Sequence, residues 1–172
     1  YVNNLGNWKS EIGTRGKIYA TSSKGPTRRG ILKPDVAASG ANTVSSFPIQ
    51  LTNGMADADL ALGGKHYRNG GTSMSSPVVA GVAALYLEKC NQTNYAYFKS
   101  DLIHSAYGDN WTGTLPNFDF GNGKLDAFQT LINSGINDTT IQSACDSLLW
   151  NNMYYNTSGY HTSININSKG CD

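Results

Sequence analysis

The run Gly71-Thr72-Ser73-Met74-Ser75-Ser76-Pro77-Val78-Val79-Ala80-Gly81, continued by Val82-Ala83-Ala84-Leu85-Tyr86-Leu87, constrains this chain more than any other segment. Gly70 and Gly71 lack a Cβ, so they permit tight backbone geometry and let another chain come close. From Met74 onward apolar residues cover nearly every face of a helix, and a helix that is apolar all round is expected to be buried. Proline is tolerated in the first helical turn, where no intrahelical N–H bond is yet due. Pro77 is therefore compatible with a helix that begins near Ser73 and runs to about Lys89.

A serine at a helix start sits among unpaired N–H donors and at the positive end of the macrodipole. Both favour negative charge. In acyl transfer that charge develops on the carbonyl oxygen under attack, and fixed donors stabilise it. Ser73 can thus be read as a nucleophile whose own backbone N–H helps hold the oxyanion. It can equally be read as an N-cap, worth about 1 kcal/mol in any helix, and local physics alone favours the cap. Two other nucleophile signatures are absent. The segment reads G-x-S-x-S rather than G-x-S-x-G, and Ser76, not a lysine, follows three residues after Ser73.

The run from Gly71 to Gly81 resembles the serine motif of the subtilisin-like serine peptidases, or subtilases, G-T-S-M-A-x-P-x-V-A-G. Upstream, Ser22-Ser23-Lys24-Gly25-Pro26-Thr27 and Ile31-Leu32-Lys33-Pro34-Asp35-Val36-Ala37-Ala38-Ser39-Gly40 resemble the family's S-S-x-G-P-T…K-P-D-V-x-A-P-G segment. Downstream, Phe120-Gly121-Asn122-Gly123-Lys124-Leu125-Asp126-Ala127 is similar to the turn that enters the last helix of the catalytic domain. The motifs occur in the family's order. Ser39 stands where the family usually has proline, Ser75 where it often has alanine and Val78 where histidine is common. Gly70 is an added residue, and residues 47–68 look like an insertion before the nucleophile.

The resemblance implies a three-layer α/β fold with a parallel sheet, of which this chain holds the C-terminal part, and a serine endopeptidase acting on protein or peptide substrates. Ser73 is the nucleophile. The triad runs Asp, His, Ser along such chains, and neither the aspartate motif, the histidine helix nor the segment of the oxyanion asparagine occurs here. The N-terminal half of the same domain is therefore the expected partner, and the chain alone is expected to be inactive. In subtilisin, losing the histidine costs about 10⁶-fold in turnover. Calcium is common in the family, but no carboxylate cluster marks a site, and no other cofactor is evident. The alternative is a catalytically dead scaffold serving as a surface binding or adhesion protein.

None of the three histidines has the surroundings of the family's base. His66 lies in a polar loop beside Tyr67 and Arg68, His104 follows Leu102-Ile103 on a helix, and His161 is in the tail. Each is expected to be a surface or helix-edge imidazole. Asp35, which follows Lys33-Pro34, is read as structural.

Charged residues make up 15% of the 172, the net charge is +1, and the isolated Arg28-Arg29 pair offers no nucleic-acid surface. No apolar run reaches the ~18 residues of a membrane helix. Cys90 reads as a small buried apolar residue. The segment from Cys145-Asp146-Ser147 to Cys171-Asp172, with its aromatics and Asn/Gly turns, reads as short hairpin strands. It resembles a repeat module of secreted and surface proteins of bacteria. A Cys145–Cys171 disulfide would then suit an oxidising compartment, while metal binding by so few ligands is the weaker reading. Localisation is expected to be secreted or at the cell surface. The sequons at Asn91, Asn110, Asn137 and Asn156 are treated as chance occurrences.

The expected organisation is a catalytic part over residues 1–134, a polar linker over 135–142 and a β-rich cysteine-containing module over 143–172. Within the first, a short strand is expected around Asp35–Ala38, a second helix over Asn94–Ala106 and a third over Leu125–Ile132.

Overall fold

The computed structural model describes residues 1–9, 14–134, 142–150, 152–161 and 171. Strand β1 (Thr43–Ser46) and strand β2 (His66–Asn69) form an antiparallel pair with Thr43 opposite Asn69 and Ser46 opposite His66. The 3-10 turn Ile49–Gly54 lies in the excursion between them. Helix α1 (Thr72–Lys89), helix α2 (Tyr95–Ser105) and helix α3 (Ala127–Ile132) follow, and then the antiparallel hairpin of β3 (Leu148–Trp150) and β4 (Met153–Tyr155).

The helices start where their sequences allow. Asn94 caps α2, its side chain accepting from the N–H groups of Ala96 and Tyr97 at 2.9 and 3.1 Å. Asp126 caps α3 by accepting from Gln129 at 2.9 Å. Both satisfy amides that a helix start leaves orphaned. The cap position of α1 is Gly71, at φ +133°, with no side-chain cap bond. Pro77 is thus the sixth helical residue, beyond the first turn expected for it. It has no N–H to give the Ser73 carbonyl four residues back.

The core lies where the three helices meet. Tyr86, Cys90 and Cys171 are fully enclosed, and Phe98 of α2 and Leu131 of α3 pack against them. The rings of Tyr86 and Phe98 meet edge to face, 5.2 Å between centroids, a favoured aromatic geometry. The Tyr86 hydroxyl donates to the Asp101 carboxylate at 2.6 Å, Lys89 Nζ reaches the Leu131 carbonyl at 2.9 Å, and Asn133 Nδ2 reaches Ser105 Oγ at 3.0 Å.

Three expectations need correction. Helix α1 is not buried all round: Val82 and Tyr86 are enclosed, while Val78, Leu85 and Leu87 are 38%, 50% and 58% exposed, because α2 and α3 cover only one stripe of it. The Asp35–Ala38 segment forms single bridges, Val36 to Gly121 antiparallel and Ala37 to Lys124 parallel, rather than a strand. No longer parallel pairing occurs among the described residues. Finally, Cys171 is bonded to Cys90, not to Cys145, whose thiol is free and exposed. Cys90 is buried as expected, and as half of a disulfide. The tail hairpin forms, whereas residues 135–141 of the expected linker, including Asn137, lie outside the described residues.

The Cys90–Cys171 bond closes a separation of 81 residues, worth about 4 kcal/mol in chain-entropy terms. Peptide mapping without reduction is expected to return Cys90 and Cys171 as one linked pair and Cys145 alkylated. A Cys145–Cys171 pair would contradict this connectivity.

Burial pushes the Tyr86 hydroxyl up from 10.0 to about 12, and its hydrogen bond to the Asp101 carboxylate acts in the same direction. The folded chain therefore holds this proton where the unfolded chain releases it. The associated stability is fully present below pH 10.0 and is lost as pH rises toward about 12, on the order of 2–3 kcal/mol. Absorbance of tyrosinate should show one phenol ionising late, and Tyr86→Phe should remove that phase. Its persistence in the variant would reject the assignment.

Candidate active site

The three sequence motifs, far apart along the chain, are joined by backbone hydrogen bonds. Gly25 N–H donates to the Phe118 carbonyl at 2.9 Å. Both the backbone N–H and the side-chain amide of Asn122 donate to the Asp35 carbonyl at 2.9 Å. Ala37 donates to Gly123 and Leu125 to Ala37, each at 2.8 Å. Gly121, at φ +63°, lies so close to this segment that a Cβ would fall 2.1 Å from the Pro34 carbonyl oxygen. Only glycine meets both conditions.

The same frame reaches the start of α1. Gly71 N–H donates to the Gly40 carbonyl at 2.9 Å. A side chain on Gly40 would have its Cβ 2.0 Å from Ser75 Oγ and 2.6 Å from the Gly71 carbonyl oxygen. Gly40 therefore lets the 34–40 segment lie directly on the first turn of α1. From there the backbone enters β1 through Asn42, at φ +53°.

Ser73 is the second residue of α1 and is exposed. Its hydroxyl and its backbone N–H have no hydrogen-bond partner among the described residues. The adjacent amides turn back, Met74 N–H to Gly71 O at 2.9 Å and Ser75 N–H to the same oxygen at 3.4 Å. Because Gly71 takes the cap position, Ser73 is not the N-cap that local physics favoured.

None of the histidines bonds to Ser73. His66 opens β2 with an exposed side chain. His104 Nδ1 lies 2.8 Å from the Ser100 carbonyl oxygen in its own helix. His161 stacks on Tyr155 with 4.1 Å between centroids and meets the Thr157 carbonyl at 3.2 Å. Asp35 is engaged by Lys33 and, at 3.1 Å, by Lys99 of α2. Burial raises the pKa of this carboxyl, but the two lysines outweigh that and hold it below its ordinary value.

A groove of about 1260 Å³ lies beside the N-terminal part of α1, lined there by Thr72, Ser75, Val78, Val79 and Val82. Val36, Ala38, Val78, Val79, Phe120 and Leu125 give it an apolar wall, and residues 14–23 border it. The described residues contain no group of three or more His, Cys, Asp or Glu able to hold a metal ion. No helix among them is long and apolar enough to cross a membrane.

Sequence reasoning passed over Arg68, treating it only as part of a polar loop. It also missed Lys99, which neutralises Asp35 from a helix 64 positions later. Motif matching carries no signal for either, since both act through tertiary contacts.

The model of the subtilase family matches residues 9–123, which include the serine run and the segment that frames it. The chain belongs to the subtilase family. It is 33% identical over 113 residues to the serine protease AprX of Bacillus subtilis, an alignment covering 64% of this chain and 24% of that protein. It is 30% identical over 138 residues to pyrolysin of Pyrococcus furiosus, covering 74% and 9%. It thus spans a quarter or less of the length of these relatives. Among solved structures, the CspB protease of Clostridium perfringens aligns with a TM-score of 0.49 and 27% identity, over 67% of this chain and 24% of that one. Fervidolysin of Fervidobacterium pennivorans aligns with a TM-score of 0.49 and 22% identity, over 70% and 17%. The α/β class of the chain is that of its family.

The contact at Gly40 yields a test with an internal control. Gly40→Ala is expected to destabilise the chain by about 1–3 kcal/mol, as overpacking does, because the Gly71 carbonyl cannot move without shifting α1. Gly81→Ala, where a Cβ meets nothing within 4 Å, should instead stabilise by up to about 1 kcal/mol, the helix-propensity difference. Denaturant titration compares the two. Equal and opposite-to-expected shifts would remove Gly40 from the frame.

Proposed function

We propose that this chain is the nucleophile-bearing part of a serine endopeptidase, with Ser73 as nucleophile. The observation that carries the reading is the Gly40–Gly71 junction, which presents an exposed serine with a free backbone N–H at the start of an 18-residue helix. In the reaction, Ser73 Oγ attacks the carbonyl carbon of a peptide bond. Its proton passes to a histidine and then to the departing amine, leaving an acyl-enzyme that water hydrolyses. The Ser73 N–H, at the positive end of the α1 dipole, is one donor to the oxyanion.

The histidine, the aspartate and the second oxyanion donor belong to the N-terminal half of the same catalytic domain. That half also covers the open apolar face of α1. The exposure of Val78 and Leu85 supports this, since at 38% and 50% exposed each forgoes roughly half of the about 1.5–3 kcal/mol that full burial yields. The present residues alone do not catalyse. The peptidase works at the cell surface or outside the cell, a placement supported by the buried Cys90–Cys171 disulfide.

A fluorophosphonate probe tests both parts. The protein carrying these residues with the N-terminal half should label at Ser73, and Ser73→Ala should abolish labelling. The chain Tyr1–Asp172 alone should label at least 10³-fold more slowly, since triad members act as a unit. Rapid Ser73-dependent labelling of the isolated chain would refute the dependence on a second half. An unlabelled longer protein would refute the peptidase.

A further inference from the structure

We infer that Arg68 is a positioning residue for Ser73, acting through Asn42 and the Gly70-Gly71 turn; the inference rests on the peptidase reading above. Arg68 lies on β2, opposite Val44 of β1, three residues before Gly71. Its side chain is only partly exposed and binds in two directions. Nε donates to Asp59 Oδ1 at 3.0 Å and Nη2 donates to the same oxygen, while Nη1 donates to Asn42 Oδ1 at 2.7 Å. The backbone N–H of Arg68 donates to the Asp59 carbonyl at 2.8 Å, so the residue is fixed at both ends.

Asn42 is the residue through which this grip reaches the nucleophile. Its φ of +53° is uncommon outside glycine, though asparagine tolerates it better than most. It turns the chain between Gly40, which accepts from Gly71, and Thr43, which opens β1. On its other side, Gly70 packs on the Asn42 backbone so closely that a Cβ would lie 3.2 Å from the Asn42 nitrogen. Arg68 therefore clamps both arms of the junction, the outgoing one at Asn42 and the incoming one on β2, with Ser73 starting five residues beyond it.

The fork geometry is specific to arginine. A lysine in its place keeps a charge for Asp59 but cannot serve Asp59 and Asn42 together in one plane. Arg68→Lys should thus preserve folding while loosening the junction, and Arg68→Ala should loosen it further. An ångström of misplacement at a reacting atom costs about 10²-fold. A residue that only stabilised the fold would change the melting temperature and leave the rate of the folded enzyme alone.

The test uses the protein carrying these residues together with its N-terminal half. Peptide hydrolysis and fluorophosphonate labelling are measured for the wild type, Arg68→Lys and Arg68→Ala, with amide hydrogen exchange at Gly71 in parallel. The lysine variant is expected to melt near the wild type yet lose about tenfold in kcat, and the alanine variant about a hundredfold, with KM little changed and labelling falling in step. Exchange at the Gly71 amide should quicken in the same order. Wild-type kcat in both variants, a loss confined to KM, or unchanged Gly71 exchange overturns the inference while leaving the peptidase intact. A wild type without Ser73-dependent labelling overturns the peptidase reading and the catalytic role of Arg68 with it; Gly71 exchange still reports separately on the clamp.

Discussion

Where Gly40 passes the start of α1 there is no room for a side chain, and the Gly71 N–H donates to its carbonyl at 2.9 Å. This contact connects everything else. Behind Gly40, the 34–38 segment is held by the turn around Gly121–Gly123, whose backbone bonds stand in for a strand ladder. In front of it, α1 begins with the Ser73 N–H unpartnered among the described residues, while those of Met74 and Ser75 turn back to the Gly71 carbonyl. Backbone bonds suit this task because a buried or half-buried amide without a partner is costly, so the junction has few alternative arrangements of similar energy. The serine inherits its place from two glycines and a carbonyl, none of which carries chemistry.

The sequence was most readable where one residue type has one physical reason to be present. Helix α1 begins one residue from its expected start and ends at its expected residue, because its apolar run and the Gly70-Gly71 pair mark both ends. The second and third helices form within their expected spans, with Asn94 and Asp126, expected inside them, serving as their caps, and the tail segment forms the hairpin that its aromatics and Asn/Gly turns suggested. Reading failed where the outcome depends on distant partners. Burial of α1 was inferred from its composition, yet composition states only that a cover is wanted, not that the chain supplies one. The disulfide went astray for a related reason. Shared Cys-Asp context at positions 145 and 171 described a repeat, while pairing follows proximity, and Cys171 lies in the core beside Cys90.

That pairing changes how the tail relates to the part that matches the family. The family match ends at residue 123, and the hairpin of β3 and β4 lies beyond it. Cys171 nevertheless fills a site between Tyr86, Phe98 and Leu131, and its bond to Cys90 fixes the last residue before the α1 C-terminus turns away. The expected boundary near residue 134 separates sequence character but not packing: a residue of the tail completes an enclosed apolar cluster formed with α1, α2 and α3. Removing it would open a cavity in the core as well as cut a covalent tie, and cavities of this kind cost in proportion to their volume.

Helix α1 is consequently held very differently at its two ends. Its C-terminal half has Tyr86 in the core, Lys89 on the α3 carbonyl and Cys90 in a disulfide. Its N-terminal half has the Gly40 junction, steadied by Arg68, and otherwise an apolar side that faces the groove. The N-terminal end thus rests on one backbone junction, while the apolar side chains just beyond it lack full cover. Packing another part of the domain into the groove would reinforce that junction by burying Val78 and Val79, a non-directional force applied within two turns of the serine. The assembly that supplies the missing triad members would thus also immobilise the nucleophile they act on. Hydrophobic burial along α1 and catalytic alignment at its N-terminus are in this sense one event: the energy of the first is what holds the geometry of the second.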